Sequence, residues 1–130
     1  ASILTRWLLF DYTTRKAYLS HIRLWEGSLL CTFQINHKVE YDKKNQGEDT
    51  DFINFLVEND MLAGIPQMPY LYIYTYNKLN TWNYEHFAEI INVSQELTKA
   101  NSLLIYKILN EELAFEQYQE ELSNCCKKLG

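Results

Sequence analysis

The chain has little of what usually marks an active site or a secreted scaffold. Among 130 residues there are two prolines, four glycines and three cysteines. The glycines form no phosphate-binding pattern, and no serine lies in a G-x-S-x-G setting. Cys31, Cys125 and Cys126 are odd in number and form no C-x-x-C. Neither a disulfide framework nor a cysteine zinc site is supported. Reduced, buried thiols are the expectation, and with them a cytoplasmic setting. Long apolar runs are also missing. Trp7-Leu8-Leu9-Phe10 is far shorter than the ~20 residues that cross a bilayer. No charged segment followed by a long apolar stretch opens the chain, so no signal peptide is expected, and Ala1 reads as a trimmed start. No internal repeat or low-complexity tract occurs.

What is present points to a soluble, single domain spanning 1–130. Hydrophobic residues make up 47% and charged residues 22%, an ordinary globular balance. A chain of this size buries roughly two-thirds of its unfolded surface and needs no covalent staple. Ten tyrosines, six phenylalanines and three tryptophans supply aromatic mass for a core or an interface. The net charge is −5, unevenly spread. Residues 1–47 hold seven cationic and four acidic side chains, while residues 48–130 hold five and thirteen. An acidic whole disfavours general phosphate binding but leaves room for a basic patch near the first hairpin.

Local pattern gives the elements. Residues 4–12 read as a strand, apolar on both faces around Trp7-Leu8-Leu9-Phe10 and so central in a sheet. Residues 17–25 read as a second strand and residues 29–36, which alternate cleanly, as a third. Together they predict a three-stranded antiparallel meander. Residues 37–50 form a polar link. Asp49 or Thr50 can cap a helix to about Leu62, which Ala63-Gly64 and the two prolines end. Residues 70–76 carry the strongest strand signal, with Tyr70, Tyr72, Tyr74 and Tyr76 on one face. Asn80 or Thr81 can cap a helix over 82–98. The last third permits two readings: a strand over 102–109 before a helix over 111–129, or one long helix over 102–128. The fold class is α/β or α+β. It is an RNase H-like mixed sheet if 102–109 is a strand, and otherwise a four-stranded sheet with a long C-terminal helix.

Two stretches carry a resemblance. Phe10-Asp11-Tyr12-Thr13-Thr14 ends the first strand, and Asn77-Lys78-Leu79-Asn80-Thr81-Trp82-Asn83 follows the tyrosine strand. Over residues 4–95 the chain resembles the exonuclease domain of protein-primed family B DNA polymerases, an RNase H-like fold. The resemblance implies a divalent-metal nuclease site, with Mg²⁺ or Mn²⁺ as cofactor and Asp11, Asn77 and Asn83 around it. Asp11 matches the first ligand, but Thr13 and Asn83 stand where the family has carboxylates. Tyr118 is followed four residues on by Leu122, so the third motif's aspartate is missing. Neutral amides and hydroxyls do not offset two divalent charges. The resemblance therefore implies a fold without its chemistry, and no cofactor or metal is expected.

The leading expectation is a non-enzymatic protein-binding module of the inhibitor, immunity or assembly type. Exposed aromatics (Tyr70, Tyr72, Tyr74, Tyr76) and an acidic helical surface (Glu112, Glu116, Glu120) would make the contact. A metal-dependent nuclease around Asp11 is one alternative. A binder of single-stranded nucleic acid, using the basic first hairpin (Arg15, Lys16, Arg23) and the tyrosine faces, is another.

Overall fold

The structure, a computed structural model, describes residues 1–32, 48–80 and 83–129. Six short strands are present among them: β1 (Ser2–Leu4), β2 (Leu8–Asp11), β3 (Lys16–Leu19), β4 (Ala63–Ile65), β5 (Ile73–Tyr76) and β6 (Gln95–Glu96). The α-helices are α1 (Glu48–Glu58), α2 (Tyr84–Asn92), α3 (Lys99–Leu109) and α4 (Phe115–Leu129). The architecture is mixed α/β.

The main sheet has the order β5-β2-β3-β6, and a separate parallel pair joins β1 to β4. Strand β2 lies inside the sheet. It runs antiparallel to β3, with Leu8 opposite Leu19, and parallel to β5, with Asp11 opposite Tyr76. All four β2 residues are buried. Its alternation sends Leu8 and Phe10 to one face, with Ala17, Leu19, Ile105 and Leu122. Leu9 goes to the other face, with Trp7, Trp25, Tyr76, Phe87 and Ile90. Helices α3 and α4 thus cover one side of the sheet and α2 the other. Each fully buried Leu or Phe is worth about 1.5–3 kcal/mol, so the four-residue strand anchors both layers.

Side-chain caps set the helix starts. Asn83 Oδ1 accepts from His86 N at 3.0 Å, and Thr98 Oγ1 accepts from Asn101 N at 3.2 Å. Helix α3 ends at Asn110, whose Nδ2 donates to the Tyr106 carbonyl at 2.9 Å. Glu111 then takes a left-handed φ of 60°, and Glu112 N closes back on the Lys107 carbonyl at 2.9 Å. This left-handed C-terminal closure usually recruits glycine.

Several expectations are corrected. Residues 102–109 are helix, not strand, because Ile105 and Ser102 share a buried helical face against β3. The condition set for an RNase H-like mixed sheet, a strand over 102–109, is therefore not met. The single helix over 102–128 is not present either; the turn at 110–114 divides it. The antiparallel meander reduces to the β2–β3 hairpin, since the second neighbour of β3 is β6. In place of a strand over 29–36, residues 29–32 make only a bridge between Leu30 and Ser2, and residues 33–36 lie outside the described set. The second strand stops at Leu19 rather than running to Trp25, and Ala63-Gly64 open β4 rather than merely ending a helix. Asn83, not Asn80, caps α2, and Thr81 lies outside the described residues. Thr50 lies inside α1, where its hydroxyl donates to Glu26 Oε1 at 2.7 Å. Among the described residues no helix is long and apolar enough to cross a membrane.

Candidate interaction site

The tyrosine stripe packs largely inward. Residues 69–71 form a 3-10 turn, so Tyr70 leaves the alternation and is buried on the α4 side, 6.3 Å from the Phe115 ring. Tyr72, Tyr74 and Tyr76 share the opposite face. Tyr72 stacks on Trp7 at 3.9 Å, Tyr74 meets Phe87 edge-on at 5.6 Å, and Tyr76 stacks on Phe87 at 5.4 Å. Burial, and next the Tyr72 neighbour, raises the Tyr74 phenol above its ordinary pKa.

Asp11 ends β2 with 0% exposure. Its Oδ1 accepts from Thr13 N at 2.8 Å and from Thr13 Oγ1 at 2.6 Å, the local closure of the hairpin. Its Oδ2 is buried without a hydrogen-bond partner. Asn77 and Asn83 are committed elsewhere. Asn77 Oδ1 accepts from Leu79 N at 3.1 Å within the turn after β5, and Asn83 caps α2. Among the described residues no group of three or more His, Cys, Asp or Glu could hold a metal ion. One spare carboxylate oxygen does not fit a pair of divalent cations.

Arg15 and Lys16 lie at the hairpin. The Arg15 guanidinium sits 4.8 Å over the Tyr106 ring. Lys16 Nζ lies 2.9 Å from Glu96 Oε1, and that hydrogen bond, with the Glu96 charge, raises the lysine pKa. Both line a cleft of about 310 Å³ with Lys99, Leu103 and Tyr106. Glu112, Glu116 and Glu120 are exposed, the last two one turn apart on α4. The structure therefore keeps the acidic face and the basic hairpin on the surface, while the tyrosines are held mainly by their own chain.

A further surface, not read from the sequence, lies at the opposite end of the sheet. The segment 20–25 folds back over residues 4–7. Ser20 N donates to the Trp7 carbonyl at 2.9 Å, Arg23 N to Thr5 at 3.0 Å and Trp25 N to Leu4 at 3.3 Å. Ser20 Oγ accepts from Trp7 N at 2.8 Å and donates to the His21 carbonyl at 2.9 Å. This stitching holds Ile22 outward with 67% of its surface exposed, and Val93 after α2 is 61% exposed. Two adjoining grooves, of about 350 and 470 Å³, share Arg6, Leu19 and Ile22. One continues to Pro66 and Lys127, the other to His21 and Val93. Arg6 Nε and His21 Nδ1 are buried without hydrogen-bond partners. Burial, then the Arg23 charge, lowers the His21 pKa below 6.5. The available signal was the break in alternation after Leu19, where Ser20-His21-Ile22-Arg23 no longer fits a half-buried strand.

Comparison with protein-family models, with curated proteins and with solved structures returned no match to this chain.

Proposed function

We propose that the chain is a non-enzymatic protein-binding module and that the Arg6 end of the sheet carries the contact. The observation that supports this reading is the pair of exposed aliphatics, Ile22 and Val93, lining one groove beside Arg6 and His21. Exposed aliphatics grouped around a cation, on a backbone already fixed by hydrogen bonds, have the character of an interface core with a polar rim. Preorganisation lowers the ordering cost of association. The acidic face of α4 offers steering rather than a packed contact, because its exposed side chains are polar.

Photo-crosslinking tests the reading in the cell of origin. A benzoylphenylalanine in place of Val93 or Ile22 is expected to trap one defined protein, and the same group in place of Glu120 is not. Equal trapping at all three positions, or none at Val93 and Ile22, contradicts the reading. Nuclease activity in Mg²⁺ or Mn²⁺ that Asp11→Asn abolishes contradicts it from the other side.

A further inference from the structure

We infer that the segment received by this end of the sheet is an acidic, aliphatic stretch of a partner protein, with a carboxylate meeting Arg6 and His21 and an apolar side chain covering Ile22 and Val93. The inference rests on the protein-binding reading above and names the partner's chemistry.

Two orphan nitrogens carry the argument. Arg6 Nε can only donate a hydrogen bond, and a neutral or charged His21 can donate from Nδ1. Both atoms are buried without partners, and both residues line the same groove. A buried donor left unpaired costs roughly 1–3 kcal/mol, and more for a charged group. Native proteins seldom leave such groups unmatched, and the partly exposed edges of Arg6 and His21 can meet an acceptor that enters the groove. A carboxylate suits a guanidinium best, because its two oxygens match the planar fork.

The surrounding charge points the same way. Lys127 lines the adjoining groove, and Arg23, held 4.8 Å over the Trp25 ring, belongs to the same stitched loop. No carboxylate is among the described residues that line either groove. In a chain of net charge −5 this is a local cationic end. Charge alone would admit a nucleic-acid phosphate. The aliphatic flank of Ile22 and Val93 does not suit a phosphate chain, whereas it suits a leucine or valine next to a glutamate.

The α4 face of a second copy fits less well: Glu116, Gln117, Glu120, Glu121 and Asn124 are exposed there and none is aliphatic. Such a face could meet Arg6 but would leave Ile22 and Val93 uncovered.

The test uses the whole chain and three probes, read by amide shifts in ¹H–¹⁵N NMR spectra. The first is a capped peptide alternating glutamate with leucine, the second its glutamine-for-glutamate isostere, the third a single-stranded DNA oligomer of equal charge. The acidic peptide is expected to shift the Arg6, His21, Ile22 and Val93 amides saturably, and the isostere to bind about tenfold more weakly. Arg6→Gln should erase that difference, and Arg6→Lys should restore part of it. Equal affinity for the isostere, saturable shifts confined to another surface, or no saturable shift overturns the inference. A DNA oligomer that binds this groove more tightly than the acidic peptide also overturns it. Any of these results beside successful crosslinking at Val93 leaves the protein-binding reading standing; failed crosslinking at both positions removes that reading by itself.

Discussion

Trp7 and Tyr72 stack with ring centroids 3.9 Å apart and planes inclined by 21°. Trp25 stacks on the same indole at 4.7 Å. The packing is close enough that a Cβ on Gly27 would stand 3.1 Å from Trp7 Cη2 and 3.3 Å from the Tyr72 hydroxyl. The stack joins the segment before β2 to the segment before β5, two strands that pair in parallel. Trp7→Ala should therefore cost about 3–5 kcal/mol in a urea titration. A double-mutant cycle with Tyr72→Ala should return a coupling of about 0.5–1.5 kcal/mol. A coupling near zero would mean that Tyr72 is spare and open to a partner.

Ser102 joins α3 to the sheet. Its Oγ accepts from Ala17 N at 3.0 Å, and the pair is buried. Ser102→Ala leaves a buried backbone N–H without that acceptor, so it should destabilise by about 1–3 kcal/mol. Hydrogen exchange at the Ala17 amide should accelerate more than at Leu9. Unchanged exchange would show that another group takes over the bond.

The three cysteines are unbridged and should differ in reactivity. Cys31 is half-buried, whereas Cys125 and Cys126 are buried, and Cys125 Sγ lies 3.0 Å from Asn101 Nδ2. Burial, with Cys125 nearby, pushes the Cys126 thiol up to about 12. With Ellman's reagent at pH 8, Cys31 should react first, and Cys125 and Cys126 only as fast as the chain opens. Early modification of Cys126 would contradict the packing of α4.

His21 gives a signed pH dependence. Its folded pKa is lowered, so below about 6.5 the unfolded chain takes up a proton that the folded chain still refuses. Between that point and the folded value the unfolded state holds more protons, and stability falls as pH drops. The ring is only half-buried, so solvent screening keeps the effect small. The urea midpoint of His21→Gln should fall less than that of the parent chain from pH 7.5 to 5. Parallel curves would show that the groove does not disfavour the imidazolium.

The parts of the fold readable from the sequence were those set by one strand or one helix alone. Trp7-Leu8-Leu9-Phe10, apolar on every residue, marked an inner strand over 4–12; the inner strand is only Leu8 to Asp11, because the chain leaves the sheet at 5–7 and Leu4 pairs in the other one. Phe52, Ile53, Leu56, Val57 and Leu62 marked a helix face; the first three are buried in α1, whereas Val57 is exposed and Leu62 lies past the helix end. Propensity alone could not end α3, because Glu111 takes the left-handed turn that glycine usually marks. Nor could it place β6, a two-residue strand defined only by its pairing to β3. The site was less visible still. Alternation set four tyrosines on one face, but Pro69 at the start of a 3-10 turn rotates Tyr70 to the other. The Arg6 groove joins residues more than a hundred positions apart, from Arg6 to Lys127, and no local pattern encodes that.

The most direct measurement compares two double variants against the partner trapped at Val93, by equilibrium binding. One is Ile22→Asp with Val93→Asp; the other is Glu116→Lys with Glu120→Lys. All four positions are exposed, so both variants should fold. The account predicts that the first loses binding at least a hundredfold, about 2.7 kcal/mol, while the second changes it by less than about fivefold. Binding that survives the aspartates and collapses with the lysines would contradict it and move the contact to α4.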